Sequence, residues 1–295
     1  MSSGRYLYRK SNRQEIMIDY KFFTDFQKDI YKEYGYMLDK LNPSTSFWHF
    51  NARDGKKEYR SIYSHNYYLQ YAKRFQEKRH TSLKILELGV YHGYSLLLWQ
   101  KYFPNAEIYG IDIDLSSSFR GQTPKELLKD KERIHLFEFD ACDKKKVDEF
   151  VKENGADFDI IIEDGSHLGH HQILSTFFYL PLLKKDGIMV IEDIGLNYEA
   201  DNKEFMIKND NGTSMPIYEY FMLNYKEIKE NVKHKLFPLT LEKEHINLLQ
   251  QINIDWEAPV NKKVQFDDMD MQGRTLYTDF LGNSKLAFLT YKNKL

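Results

Sequence analysis

Two apolar runs that each end in carboxylates constrain this chain more than any other feature. The first is DFDIIIEDGSH at 157–167, and the second is GIMVIED at 187–193. Short runs rich in Ile and Val that stop at acidic residues are typical of buried parallel strands, which deliver polar groups to one edge of a sheet. The sequence therefore predicts two strands whose ends carry acidic side chains.

The segment that joins the two runs has the periodicity of an amphipathic helix. Its apolar residues recur along 168–183, and a polar turn at 184–187 closes it. A strand–helix–strand unit places its two strands parallel, with their carboxyl ends side by side. Three carboxylates and one imidazole at such an edge suit a hard divalent cation with a base beside it. The residues expected to converge are Asp164, His167, Glu192 and Asp193.

A plainer interpretation of the first run is also open. Asp164-Gly165-Ser166 has the composition of a turn that caps a helix, and His167 would then be a hydrogen-bonded bystander. The pair Glu192-Asp193 favours the metal site, because a cluster of acids without a compensating cation is electrostatically costly. On the helix that follows, His170 and His171 face different directions, and we expect His171, one turn after His167, to point towards the site.

An earlier strand ends in a glycine turn. Residues 83–88 are a strand, Gly89 and Gly93 allow a tight turn, and a helix follows from Ser95. The turn lacks the dinucleotide fingerprint, because Tyr91 occupies the place of its second glycine. Glu87 adds negative charge where a pyrophosphate would lie. The turn therefore predicts a site for a cationic or zwitterionic cofactor.

Two further strands also end in aspartate. The strand within 106–114 places Asp112 where a carboxylate can accept both hydroxyls of a ribose, although Asp112 could instead only cap the next segment. The strand at 134–141 ends in Asp140, which could accept from the exocyclic amine of an adenine, and in Ala141. The five strands together predict an α/β sheet with a cofactor site at its carboxyl edge.

Composition excludes several classes of protein. The 42 Lys and Arg nearly balance the 44 Asp and Glu, which disfavours a nucleic-acid partner. No apolar window is long enough to span a bilayer, and the first residues lack the apolar segment of a secretory signal. Cys142 is the single cysteine, as expected in a reducing compartment. We expect a cytoplasmic protein without a membrane partner.

The pattern of these strands resembles the class I S-adenosylmethionine-dependent methyltransferases. Glu87-x-Gly89-x-x-x-Gly93, Asp112 and Asp140 carry this resemblance. Within that superfamily, Asp164-Gly165-Ser166-His167-x-x-x-His171 followed by Glu192-Asp193 resembles the macrocin and mycinamicin group of sugar O-methyltransferases. The resemblance implies a doubly wound, mostly parallel, Rossmann-like sheet of seven strands with a helical N-terminal extension.

The domain organisation follows from that resemblance and from the patterns at the two ends. Residues 1–80 are interpreted as helices and loops that form the extension or a lid, and 81–295 as the methyltransferase domain. Polar residues near 195–215 predict an insertion over the site. A terminal strand is expected at 286–291, with its partner within 244–254.

The resemblance also implies roles for individual residues. It implies a magnesium ion held by Asp164, Glu192 and Asp193, and a general base at His167. Contacts to S-adenosylmethionine are expected from the glycine turn and the strand ends. The expected cofactor-binding residues are Glu87, Gly89, Gly93, Ser95, Asp112, Asp140 and Ala141.

The implied function is a magnesium-dependent O-methyltransferase that acts on a vicinal diol of a sugar or glycoconjugate. One alternative is a catechol or other phenolic O-methyltransferase, in which the same metal geometry serves a more acidic diol. Another is a cofactor-binding protein without methyl transfer, in which the acids are structural. The sequence leaves open the acceptor, the metal's identity and the oligomeric state, a homo-oligomer included.

Overall fold

The computed structural model of this chain describes the central part of the sequence and several shorter pieces. The described residues are 71, 74–118, 122–194, 247–249, 251–257 and 286–292, with short strands at 5–9, 15–19, 50–51, 58–59, 207–209, 214–215 and 236–237. They belong to two compact units. The larger unit comprises 81–117, 123–258 and 283–295, and the smaller comprises 1–80, 118–122 and 259–282.

A seven-stranded sheet forms the larger unit. Its strands are β1 Leu83–Leu88, β2 Ala106–Asp112, β3 Ile134–Glu138, β4 Phe158–Glu163, β5 Leu183–Ile191, β6 Ile252–Glu257 and β7 Leu286–Tyr291. Their order across the sheet is β6-β7-β5-β4-β1-β2-β3. Strands β1 to β5 pair in parallel, and β7 runs antiparallel to both β5 and β6. The prediction of a mostly parallel, Rossmann-like sheet of seven strands is confirmed.

Four helices of the described chain connect the parallel strands. They are α1 Tyr94–Tyr102, α2 Pro124–Leu128, α3 Lys144–Asn154 and α4 Gly169–Tyr179. Thr123 begins α2 with a reciprocal capping box to Glu126, and the Asp143 carboxylate accepts from the first N–H groups of α3. At the carboxyl end of α1, the Arg133 guanidinium donates to the carbonyls of Gln100 and Phe103.

The core lies where α3 and α4 cover one face of the sheet. Val147 and Phe150 of α3 and Ile173 and Phe177 of α4 belong to the same buried cluster as the apolar residues of β1, β4 and β5. Connections between parallel strands are right-handed. Helix α1 connects β1 to β2 and so runs across the sheet in the opposite direction to the connections that contain α3 and α4, which places α1 on the other face. The strand order therefore reverses between β1 and β4, and ligands of such sheets bind at that point.

The beginning of β5 differs from the sequence prediction. Residues 184–187 were expected to close the helix, but they lie within β5, and α4 ends before a short 3₁₀ turn at Leu180–Leu182. The Lys184 ammonium group contacts both carboxylate oxygens of Asp159 on β4, at 2.9 and 2.8 Å. This long-range pair holds the start of β5 against its neighbour, which local periodicity does not reveal.

Two other predictions differ at the ends of the chain. Arg5–Arg9 and Glu15–Asp19 form an antiparallel hairpin, where helices and loops were expected. Strand β6 overlaps only the end of the window predicted for it.

In the region of the expected insertion, the structure describes only the short strands at 207–209 and 214–215. The role of that region therefore stays a prediction, as does the division at residue 80.

No helix in the described part of the chain has the length and apolar character needed to cross a bilayer.

Candidate functional site

The loops that follow β1 and β4 meet at the point where the strand order reverses. The Asp164 N–H donates to the Leu88 carbonyl at 2.9 Å, and the Gly89 N–H donates to the Ile111 carbonyl at 2.8 Å. Gly89 has a φ of +91°, and a Cβ at this position would lie 2.1 Å from the Asp164 carbonyl oxygen. The glycine therefore permits both the turn and the close approach of the loop that carries Asp164.

Gly89→Ala is expected to destabilise the protein more than a change of backbone conformation alone explains. Gly155→Ala is the matched control, because Gly155 also has a positive φ, of +75°, but its Cβ would meet only the Lys84 ammonium at 3.8 Å. The control should lose about 1–3 kcal/mol of unfolding free energy from backbone strain. Gly89→Ala should lose at least about 2 kcal/mol more, since overpacking against rigid backbone adds its own cost. Urea unfolding of both variants measures the difference, and equal losses would contradict the clash.

A cluster of potential metal ligands lies on the β4 side of this point. The Nε2 atom of His167 lies 3.9 Å from Asp164 Oδ1 and 3.7 Å from Asp193 Oδ2. One ligand atom from each of these residues lies within 4.8 Å of the others. Their side chains are between 14 and 24% exposed, so the cluster is open to solvent on one side. Of the predicted residues, these three are brought together most closely.

Two members of the cluster are held in an unusual backbone conformation. His167 has a φ of 58° and Asp193 a φ of 53°, both in the left-handed region that residues other than glycine seldom adopt. Strain of this kind is retained where the surrounding structure fixes it, often at functional sites. Here it turns both side chains back towards Asp164 at the end of β4.

Glu192, the remaining predicted ligand, lies beside this group without being part of it. It is 8% exposed, and its backbone N–H donates to the Glu163 carbonyl at 2.9 Å, which continues the ladder between β4 and β5 by one residue. Its carboxylate is close enough to act on the charge of Asp164. Its place among the ligands stays a prediction.

The charges of this site are costly without a cation. Burial raises the pKa of Asp164 well above its usual value, and the neighbouring charges of Glu192 and Asp193 raise it further. A divalent cation would offset this repulsion, and carboxylate oxygens with an imidazole are a donor set that such ions accept. The residues present therefore fit a bound metal ion.

Two buried polar residues next to the cluster were not identified from the sequence. Burial raises the pKa of Glu163 to about 7, although hydrogen bonds from Gln172, the Gly165 N–H and Ser175 act to lower it. Gln172 is fully buried on α4 and donates from Nε2 to the Glu192 carbonyl at 2.9 Å. The polar residues Gln172, Ser175 and Thr176, at helical spacing on the buried side of α4, were the signal that could have identified Gln172.

His171 does not join the ligand group in the described structure. Its Nδ1 lies 2.8 Å from the Ser166 hydroxyl, and its ring packs edge-on against His170 with centroids 4.2 Å apart. The histidine therefore braces the loop between β4 and α4. The expectation that it points towards the metal stays a prediction.

The glycine turn after β1 contains the predicted cofactor residues. Glu87 is 1% exposed, and its two carboxylate oxygens accept from the Ser95 hydroxyl and the Trp99 indole of α1. Gly93, with a φ of +84°, precedes the first residue of α1. Glu87 and Ser95 thus hold each other and fix the helix to the strand, in addition to any contact with a cofactor.

The aspartates that follow β2 and β3 also bond to backbone. Asp112 Oδ2 accepts from the N–H groups of Val90 and Tyr91 at 2.7 and 2.8 Å, which ties the end of β2 to the glycine turn. Asp140 is exposed and accepts from the Cys142 N–H at 2.8 Å, and Ala141 is half-buried between them. Both carboxylates lie at the carboxyl edge of the sheet, as predicted.

Glu87→Gln is expected to flatten the pH dependence of stability. Burial raises the pKa of Glu87 to about 7 from an ordinary 4.5, the hydrogen bonds from Ser95 and Trp99 lower it, and Asp112 raises it. The native state therefore binds a proton that the unfolded chain releases, so the contribution of Glu87 to stability is complete below pH 4.5 and is lost as the pH rises through 7. The full effect of one group is about 3 kcal/mol.

Unfolding of the metal-free protein between pH 4.5 and 8 measures this effect. Glu163 contributes with the same sign, so the slope should decrease in Glu87→Gln without vanishing. Glu149→Gln, which changes an exposed carboxylate paired with Lys146, is the control and should leave the slope as in the parent protein, because this ion pair moves the pKa of both groups away from the pH range measured. An unchanged slope in Glu87→Gln would show that Glu87 is ionised in the native protein.

Comparison with known proteins identifies the type of domain. Residues 86–194 match the family described as "Methyltransferase domain". The chain is 29% identical over 181 residues to mycinamicin VI 2''-O-methyltransferase of Micromonospora griseorubida, which covers 57% of this chain and 40% of that protein. It is 34% identical over 136 residues to the 8-demethyl-8-(2-methoxy-alpha-L-rhamnosyl)-tetracenomycin-C 3'-O-methyltransferase of Streptomyces olivaceus, which covers 43% and 32% respectively.

A solved structure is also similar. The MycE methyltransferase from the mycinamycin biosynthetic pathway, in complex with Mg, SAH and mycinamycin VI, has 22% identity and a TM-score of 0.48, over 80% of this chain and 53% of its own. The chain spans less than half the length of the two curated relatives. The match of residues 86–194 and the two curated relatives confirm the resemblance to methyltransferases that was inferred from the sequence.

Proposed function

We propose that this chain, whose residues 86–194 are a methyltransferase domain, transfers a methyl group from S-adenosylmethionine to a hydroxyl of a sugar or glycoconjugate, with the help of a divalent cation such as Mg²⁺. The convergence of Asp164, His167 and Asp193 beside the glycine turn carries this proposal. The two curated relatives support its acceptor class, because both are named O-methyltransferases and the second is named for a rhamnosyl tetracenomycin.

Asp164 and Asp193, with Glu192 beside them, would hold the cation at the end of β4. When bound there, the ion supplies a Lewis acid that lowers the pKa of a hydroxyl and orients it, which suits an acceptor with two adjacent hydroxyls. A sugar hydroxyl is too weakly acidic to ionise near neutral pH without such help.

His167 takes the proton from the acceptor hydroxyl. Its Nδ1 is buried whereas its Nε2 lies next to the two carboxylates, so Nε2 is the nitrogen available to the acceptor. As the proton moves to Nε2, the hydroxyl oxygen bonds to the methyl carbon and the sulfur–carbon bond breaks, which leaves S-adenosylhomocysteine and the methyl ether. Histidine suits this role because an imidazole ordinarily titrates near neutral pH.

The glycine turn and the strand ends would position the methyl donor. Gly89 and Gly93 leave room for close approach of a ligand, and Asp112 and Asp140 lie at the edge where ribose and adenine groups would bind. The donor's sulfonium would then lie near the point where the strand order reverses. Tight contact between the Gly89 and Asp164 loops would keep donor and acceptor close together.

Transfer of labelled methyl groups tests the proposal. The purified protein is incubated with methyl-labelled S-adenosylmethionine, Mg²⁺ and three sets of acceptors: glycosides with vicinal diols, the same glycosides lacking one hydroxyl, and catechols. We expect label in the intact glycosides and at least about tenfold less in the deoxy compounds. Label in catechols alone would show that the acceptor is a phenol and not a sugar. Cofactor binding by calorimetry without label in any acceptor would show that the protein binds the cofactor without transferring a methyl group.

A further inference from the structure

The end of β5 depends on a side chain from a helix. Glu192 follows the last residue of β5, and its N–H still pairs with β4, through the Glu163 carbonyl at 2.9 Å. The Glu192 carbonyl accepts instead from the Gln172 side chain of α4, also at 2.9 Å. The Glu192 residue is therefore held by its N–H to the sheet and by its carbonyl to the helix.

The chemistry of this contact fixes the orientation of the Gln172 amide. A carbonyl can only accept a hydrogen bond, so the nitrogen of the amide must face Glu192. Gln172 is 0% exposed, and its Oε1 has no hydrogen-bond partner in the described part of the chain, so the bond from Nε2 is what offsets the burial of the amide. The contact is thus a specific, buried link between α4 and the end of β5.

Gln172 also connects the two halves of the ligand cluster. Its backbone N–H donates to the Leu168 carbonyl at 2.9 Å, in the first turn of α4 directly after His167. Its side chain hydrogen-bonds Glu192, the residue directly before Asp193. The left-handed conformation of Asp193 turns the chain towards His167. A displacement of Gln172 would therefore move Asp193 relative to His167 and Asp164.

We propose that Gln172 is a positioning residue that fixes the Glu192-Asp193 end of β5 against α4, so that the carboxylates from β4 and β5 face one cation. This inference rests on the proposed function, because it assigns a role in the proposed metal site. Partners that orient metal ligands typically contribute ten- to a hundredfold to metal affinity.

Gln172→Met tests the inference, because it keeps the length of the side chain and removes the N–H donor. Two buried neighbours on α4 provide controls. Ser175→Ala removes a hydroxyl that acts on Glu163 without touching Glu192, and Thr176→Val removes a 2.7 Å hydrogen bond to the Gln172 carbonyl. Gln172→Leu is a second variant without a side-chain hydrogen-bond donor. Circular dichroism and thermal unfolding establish that each variant is folded.

Two readouts are needed, both without turnover. Mn²⁺ affinity is measured by electron paramagnetic resonance, and hydrogen exchange of the peptide 188–194 is measured in the metal-free protein. We expect Gln172→Met and Gln172→Leu to weaken Mn²⁺ binding about ten- to a hundredfold and to speed exchange at the end of β5 at least about fivefold. The two controls should stay within about twofold of the parent protein in both, as substitutions away from the contact usually do.

The outcomes separate this inference from the proposed function. Mn²⁺ bound by the parent protein and equally well by Gln172→Met, with unchanged exchange, would overturn the positioning role and leave the proposed function intact. An equal loss in Ser175→Ala would also overturn it, since the effect would then pass through Glu163. A parent protein that binds no Mn²⁺ would remove the metal from the proposed function, and the positioning role with it.

Discussion

Asp164→Asn is expected to lower methyl transfer at least about 10³-fold, which corresponds to about 4 kcal/mol of lost transition-state stabilisation. Asp164 belongs to the ligand cluster, with its Oδ1 3.9 Å from His167 Nε2, and Glu192 and Asp193 both act on its charge. Asparagine has the same shape but no charge, so it would reduce both the affinity for the cation and its ability to polarise a hydroxyl. Binding of S-adenosylhomocysteine should change little, because the glycine turn is unaltered.

Three measurements check this result. Label transfer gives the rate, Mn²⁺ binding gives the affinity of the metal site, and calorimetry with S-adenosylhomocysteine gives the affinity of the cofactor site. Asp148→Asn is the matched control, since it makes the same chemical change at an exposed position of α3 that pairs with Lys144. A chelator should abolish transfer by the parent protein, and added Mg²⁺ should restore it. Full activity of Asp164→Asn, or of the parent protein in the chelator, would remove the metal from the mechanism.

His167→Asn is expected to lower kcat about 10²- to 10⁴-fold, the usual contribution of a general base. Asparagine is preferred to alanine here because the backbone of His167 has a φ of 58°, and asparagine tolerates the left-handed region better than most residues. Its amide cannot take a proton from the acceptor. Since the contacts of the glycine turn do not involve His167, the affinity for S-adenosylhomocysteine should be preserved.

The metal affinity of this variant distinguishes two roles of the histidine. A base should leave Mn²⁺ binding within about threefold, whereas a ligand should weaken it at least about tenfold. His135→Asn, at an exposed site on β3 where the ring pairs with Glu107, controls for the substitution itself. A more acidic acceptor needs less help from a base, so the loss should be smaller with a catechol, if one is accepted at all. Unchanged turnover with a glycoside would exclude His167 as the base.

Local sequence pattern predicted those parts of the fold that local forces determine. The apolar runs at β1, β4 and the end of β5 are buried in the central sheet, and the acids that end them lie at one edge because parallel strands share their direction. The side chain of Asp143 caps α3, a local interaction of the kind that sequence pattern can indicate. The seven-stranded, Rossmann-like architecture followed from the resemblance, and no strand order was predicted, since periodicity does not specify which strands are neighbours.

Contacts between distant residues account for what the sequence did not show. The start of β5 depends on Lys184 and Asp159, which are 25 residues apart. The hydrogen bond from Gln172 to Glu192 spans 20 residues and joins a side chain to a backbone carbonyl. Because every residue has a backbone carbonyl, the residue type at position 192 does not indicate this bond. The sequence also did not show that Ser95 and Trp99 of α1 donate to the two carboxylate oxygens of Glu87, whose expected contact with a cofactor stays a prediction.

The place where Gly89 meets the Asp164 backbone has a consequence for redesign. Because a single methyl group would not fit between the two loops, a graft that exchanges the β4 loop for that of another enzyme must also reproduce the shape of the β1 turn. Chimaeras of related enzymes that exchange only one of the two loops should misfold or lose the geometry of the proposed metal site. Chimaeras that exchange both loops together should tolerate foreign sequence elsewhere in the chain.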